Sequence, residues 1–135
     1  MTGRVTVTAF PTAAVAFGPA LVRRVRANPG MSLLLRETQR EEGLRLVRTG
    51  EADVALVADW TGRLASSDTG ALWFFRLVRD QVVLVVPRGH PAADPDRPVD
   101  LDQLRDEPWL AAPPGEPSRQ AVDRLLAGKI GRAHV

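Results

Sequence analysis

The stretch "DVALVAD", Asp53 to Asp59, decides the fold class. Its centre, Val54 to Ala58, is apolar at every position. A strand with one wet face would alternate, and an amphipathic helix would repeat at three and four residues. An unbroken apolar run suits a strand covered on both faces, as in a parallel sheet. Parallel strands need crossover helices between them.

The upstream sequence supplies them. "REEGLRLVRTG" (Arg40 to Gly50) predicts a helix with Leu44 and Val47 on one face and Gly50 as its stop. "MSLLLRE" (Met31 to Glu37) predicts a strand before it. "RVTVTAF" (Arg4 to Phe10) alternates Val5, Val7 and Ala9 against Thr6, Thr8 and Phe10, which predicts another strand. In "PTAAVAFGPALVRRVRANPG", Thr12 is expected to cap a first short turn. Pro19 suits the first turn of a helix and damages its interior. A helix is therefore expected from Pro19 to about Ala27, with Leu21, Val22 and Val25 inward. The first 59 residues read β-α-β-α-β, the unit of an open parallel sheet.

Downstream, "ALWFFRLV" (Ala71 to Val78) and "QVVLVVP" (Gln81 to Pro87) favour strand by Val and aromatic content. In "VDLDQLRDEP", Asp100 is the expected cap of a short helix, with Leu101 and Leu104 inward. "WLAA" (Trp109 to Ala112) suits a short strand. Ser118 is the expected cap of a last helix carrying Val122, Leu125 and Leu126.

The chain has no cysteine, so disulfides and thiolate metal sites are excluded. No apolar run approaches the roughly 20 residues of a membrane span. Met1 to Phe10 has no signal-peptide core, so a cytoplasmic protein is expected. The formal charge is +2, but Lys129 and Arg132 supply both charges and no acid follows Asp123. The body is neutral, without the positive footprint of a DNA-binding domain.

Lys129 and Ile130 are the only lysine and isoleucine, whereas the other 17 basic side chains are all arginine. The body reads as a high-GC gene and the end does not. "IGRAHV" (Ile130 to Val135) is also one reading frame of a common sequencing-adapter oligonucleotide. Residues 129–135 are therefore expected to be a non-native, adapter-derived tail, with the native product cut short near Gly128.

Three stretches, in order, resemble the effector-binding (substrate-binding) domain of LysR-type transcriptional regulators. They are "GRVTVTAFPTAAVAFGPALVRRVRANPG", "LRLVRTGEADVALV" and "DQVVLVVPRGHPAADPDRPVDLDQLRDEPWLA". The resemblance covers Gly3 to about Gly128. It implies a two-lobed α/β fold like that of type II periplasmic binding proteins, with a small-molecule effector in the cleft. It also implies a homo-oligomer that touches DNA only through a helix-turn-helix domain missing from this chain. The expected division is 3–87 for most of lobe one and 88–128 for the start of lobe two, an incomplete fragment of the fold. A solute-binding protein of a transporter, or an enzyme, on the same fold are the alternatives. No nucleophile elbow, glycine-rich phosphate loop or metal-ligand spacing supports an enzyme, and no cofactor is expected.

Ligands of open α/β sheets sit beyond the carboxyl ends of strands, near helix N-termini. That selects Pro11 and Thr12, Thr38 and Gln39, and Asp59 and Trp60 as effector-binding candidates. Thr12 either holds an effector carboxylate or only caps its helix, and a Ser or Thr at this turn is typical of the resembling family. Thr38 and Gln39 either bind or form a polar turn. Trp60 either walls a cleft or packs on its loop. Ser118, with Glu116 and Arg119 beside it, is the candidate from lobe two. His90 is assigned no catalytic or metal role.

Deleting Lys129 to Val135 should leave thermal stability unchanged. A melting experiment showing a loss above about 1 kcal/mol, the size of an ordinary disruptive substitution, would mean that the tail packs and is native.

Overall fold

The computed structural model describes residues 3–64 and 72–127. The expected adapter tail, residues 129–135, lies outside the described residues. The chain divides into two compact units, Met1–Phe75 and Arg76–Val135.

The first unit is built in the order β1 (Gly3–Ala9), α1 (Pro11–Arg26), β2 (Met31–Glu37), α2 (Arg40–Arg48) and β3 (Val54–Leu56). The strands form a parallel sheet in the order β2-β1-β3. Val7 lies opposite Leu35 and Val54, and Thr8 lies opposite Arg36 and Ala55. Paired residues of parallel strands share a face, so Val7 and Leu35 line one face and Thr8 and Ala55 the other.

Two glycines seat one helix on each face. A β-carbon on Gly18 of α1 would stand 3.1 Å from Leu35. A β-carbon on Gly43 of α2 would stand 3.1 Å from the hydroxyls of both Thr8 and Thr38, and 3.5 Å from the β-carbon of Ala55. The two helices therefore cover opposite faces, and β1 is sandwiched. Thr6, Val7, Thr8 and Ala9 are all buried.

The doubly covered strand is thus β1, not the segment 53–59. The apolar run forms only the three residues Val54–Leu56, at the sheet edge, with Val54 exposed. Asp53 takes part of what would have been ladder. Its carboxylate accepts from the Thr6 amide at 2.7 Å, and its own amide donates to the Thr6 carbonyl at 2.9 Å.

Helix α1 runs unbroken from Pro11 through Pro19 to Arg26. The expected start at Pro19 is corrected. An interior proline removes one helical hydrogen bond and crowds the carbonyl four residues back. Here Pro19 is on the exposed side, and docking through Ala13 and Gly18 outweighs that cost.

Helix α2 ends as its sequence predicts. Gly50 has φ +75°, the left-handed conformation that suits glycine. Its amide donates to the Val47 carbonyl and that of Glu51 to the Leu46 carbonyl, the paired bonds of a Schellman motif. The inward face differs from expectation. Gly43 and Leu46 are buried, whereas Leu44 and Val47 are only half-buried. Gly43 carries no apolar side chain, so periodicity alone centred the face wrongly.

In the second unit, Asp100 caps the turn Leu101–Leu104 by accepting from the Asp102 amide at 3.0 Å, as expected. Helix α3 (Pro117–Leu126) buries Leu126. His90 holds its own turn: Nδ1 accepts from the Ala92 amide at 3.0 Å, and Nε2 lies 3.6 Å from Glu107. Trp109 donates from Nε1 to the Leu104 carbonyl. The strands expected over 71–78, 81–87 and 109–112 do not form among the described residues, beyond a single bridge position at Leu110. A strand needs a hydrogen-bonded neighbour, which strand propensity by itself does not provide.

No helix of the described residues is long and apolar enough to cross a membrane.

Leu46→Ala should cost about 2–5 kcal/mol in urea denaturation, because Leu46 is 1% exposed and its removal leaves a cavity. The half-buried Leu44→Ala should cost clearly less. The reverse order would mean that α2 docks through its other face.

Candidate functional site

A parallel sheet opens a crevice where two adjacent strands send their connections to opposite faces. In this sheet the adjacent strands are β1 and β2. The chain leaving β1 enters α1 on one face, and the chain leaving β2 enters α2 on the other. The switch point therefore lies at the carboxyl ends of these two strands. Pro11 and Thr12 flank it on one side and Thr38 and Gln39 on the other. The Thr38 amide donates to the Ala9 carbonyl at 3.0 Å, which ties the two ends together.

The local chemistry of Thr12 differs from the sequence reading. The cap position is occupied by Phe10, in extended conformation, and no side chain caps the helix. Pro11 is the first helical residue and Thr12 the second. Thr12 is thus corrected from cap to an exposed first-turn residue. Pro11 has no amide to offer, and the Ala14 amide already donates to the Phe10 carbonyl at 2.9 Å. The amides of Thr12 and Ala13 have no acceptor within the helix. The Thr12 hydroxyl stands beside them.

Helix α3 repeats this construction. Glu116 is the extended cap residue, Pro117 the first helical residue and Ser118 the second, half-buried. Ser118 is also corrected from cap to first-turn residue. The sequence signal was present: "FPT" and "EPS" share a Pro followed by a hydroxyl, and Pro favours the first helical position. Arg119 is held within its own unit, donating to Asp123 at 2.8 Å and to the Ala112 carbonyl at 3.0 Å.

The three helix N-termini differ in charge. Helix α2 has Glu41 and Glu42 in its first turn, whereas α1 and α3 have no acid there. Acids in a first turn already answer the positive end of the helix dipole. Glu42 is also engaged by Arg45 at 2.8 Å, and that side-chain bond holds its carboxyl below the usual range. At α1 the dipole and the amides remain available to an incoming anion.

Thr38 is half-buried and Gln39 exposed. Beside Thr38, against Gly43 of α2, lies a residue that the sequence reading did not select. Thr8 is fully buried, and its hydroxyl has no hydrogen-bond partner among the described residues. Its position in "TVTAF" gave only an alternation signal, and its burial depends on the approach of Gly43.

Asp59 and Trp60 follow β3, on the side of β1 away from the switch point. The Asp59 carboxylate is saturated by its own loop. It accepts from the amides of Thr61 at 2.9 Å, Gly62 at 3.0 Å and Leu64 at 3.1 Å, and from the Thr61 hydroxyl at 2.7 Å. Burial pulls its pKa up. The Thr61 hydroxyl and these amides outweigh burial and hold it below the ordinary value of 3.8. Trp60 is 38% exposed. Among the described residues no cluster of His, Cys, Asp or Glu could hold a metal ion.

The family described as the LysR substrate binding domain matches residues 1–135. No curated protein and no solved structure shows a significant match. The chain belongs to the LysR substrate binding domain family, and its small parallel α/β sheet is consistent with the periplasmic-binding-protein-like fold of that family.

Asp59→Ala should speed amide hydrogen exchange at Thr61, Gly62 and Leu64 together. In the wild type, a carboxyl depressed on folding contributes order that is present above its unfolded pKa and lost as pH falls through the folded one. Protection of these amides should therefore persist down to about pH 4 and fade below it. Unchanged exchange in the variant would show that the loop is held by something else.

Proposed function

We propose that this chain is the effector-sensing part of a LysR-type transcriptional regulator, and that a small anionic effector, a carboxylate by preference, docks at the β1/β2 switch point. The observation that carries the reading is the N-terminus of α1. It opens at that crevice with the amides of Thr12 and Ala13 unused by the helix and no acid in its first turn. Thr12 donates its hydroxyl, and Pro11 fixes the start of the turn. Thr38 and Gln39 recognise polar atoms from the opposite side. Ser118 offers a second site of the same construction in the other unit. Asp59 and Trp60 order the neighbouring loop and do not hold the anion.

The mechanism is a shift of population. The effector stabilises the conformation to which it binds better, by no more than its difference in affinity between states. In the intact parent, a cytoplasmic homo-oligomer, that shift re-aims DNA-binding domains supplied outside this chain. The neutral net charge of residues 1–128 fits a sensing part that does not itself hold DNA.

Thr12→Ala tests the site. Loss of a hydrogen bond to a charged group costs roughly 1.5–3 kcal/mol, about 10- to 150-fold in affinity. Because Phe10 holds the cap position, the substitution should leave melting temperature nearly unchanged. Thr12→Ser should bind like the wild type. A panel of small carboxylic acids, screened by thermal shift and followed by calorimetric titration, gives the readout. Equal affinity in all three proteins would remove Thr12 from the site.

A further inference from the structure

Helix α2 starts without the contact that often fixes a helix entrance. Gln39 is its cap residue, so Thr38 precedes the cap and Gly43 is the fourth helical residue. Those two positions frequently carry apolar side chains that staple the entering chain to the helix. Here one is a hydroxyl and the other has no side chain. A third group completes the contact from β1. A β-carbon on Gly43 would stand 3.1 Å from the Thr38 hydroxyl and 3.1 Å from the Thr8 hydroxyl. Both oxygens therefore border one space, the one a side chain at 43 would fill.

Thr8 is 0% exposed, and its hydroxyl has no partner among the described residues. Its register neighbours on this face give it no acceptor. Arg36 on β2 carries only donors in its side chain, and Ala55 on β3 has no polar side-chain atom. The side-chain acceptor that shares the Gly43 contact is Thr38.

We propose, building on the effector site at the β1/β2 switch point, that Thr8 is a positioning residue for Thr38. When effector binds, the Thr8 hydroxyl donates to the Thr38 hydroxyl oxygen, and the Thr38 proton turns to the crevice. A threonine hydroxyl has one proton and two lone pairs. Rotation between staggered positions brings the two oxygens together in the space that Gly43 leaves open. Thr38 then accepts from behind and donates forward, and each bond of such a chain strengthens the other. The ligand group met there is a hydrogen-bond acceptor. It is also uncharged, because Glu41 and Glu42 in the first turn of α2 oppose a second anion. With its carboxylate at the start of α1, the effector is thus an oxo acid, a carboxylate with a carbonyl oxygen in the same molecule.

The probes are 2-oxopentanoate, 4-oxopentanoate and pentanoate, titrated calorimetrically into the full 135-residue chain. At least one oxo acid should bind more tightly than pentanoate. Thr8→Val keeps the shape and removes the hydroxyl. It should cut that preference by about 3- to 10-fold, the worth of one neutral hydrogen bond, and leave pentanoate affinity unchanged. Thr8→Ser should restore the preference. In a Thr38→Val background, Thr8→Val should have no further effect, because the two hydroxyls act as one chain. In urea denaturation without ligand, Thr8→Val should keep or raise the midpoint, since it removes a buried hydroxyl that has no partner. A lowered midpoint would mean that this hydroxyl is already bonded in the free protein, and overturns the proposal. So does the absence of any preference for an oxo acid, or a preference that survives Thr8→Val. If Thr12→Ala weakens all three acids while Thr8→Val leaves the preference intact, the anion site stands and the role of Thr8 falls. If Thr12→Ala also leaves binding unchanged, the anion site falls with it.

Discussion

At Gly43 helix α2 approaches the sheet more closely than a side chain would permit. A β-carbon there would meet two threonine hydroxyls at 3.1 Å. This contact covers one face of β1, while Gly18 brings α1 onto the other. Because β1 is covered on both faces, Thr6 and Thr8 are buried with the apolar residues between and beyond them. Because the helices sit on opposite faces, the connections leaving β1 and β2 diverge, and the crevice between their carboxyl ends exists. The candidate binding site thus follows from the absence of side chains at two positions more than from the presence of any one polar group.

The same packing leaves a polar cost inside the core. The Thr8 hydroxyl is buried without a partner among the described residues. An unpaired buried hydroxyl costs about 1–3 kcal/mol. The adjoining Thr38 hydroxyl also lies against Gly43, so the β2–α2 turn is held by steric fit and by one backbone bond to Ala9, not by a hydroxyl pair. At the other wall of the crevice, α1 begins without a side-chain cap. An uncapped helix start is weaker as a folding element and more receptive as an anion site.

The edges of this sheet contrast with its centre. Strand β1 pairs along its whole length with β2 and over Val7–Ala9 with β3, whereas β3 is three residues long and half exposed at Val54. The apolar run 72–87 is rich in strand formers but forms no strand among the described residues. Strand formation depends on a partner in a way that helix formation does not, since a helix satisfies its own backbone. The helices accordingly form where amphipathic sequence and end signals agree, and among the described residues strand-like sequence beyond β3 forms no strand, only a bridge at Leu110.

The sequence alone determined the β-α-β-α-β order, the Gly50 stop of α2, the Asp100 cap and the polar residues gathered at strand ends. Each rests on interactions within a few residues, which local composition encodes. The LysR resemblance was also legible, because it depends on ordered wording along the chain. Tertiary structure decided the rest. Pro19 lies inside α1 because docking of Ala13 and Gly18 outweighs a local penalty. Thr12 and Ser118 are first-turn residues because the prolines before them take the first helical position. Asp59 is turned to its own loop by three amides and a hydroxyl that its neighbours supply only in one backbone conformation. The most buried strand is β1, with its two threonines, and not the more apolar β3, because burial depends on which elements cover a strand from either side.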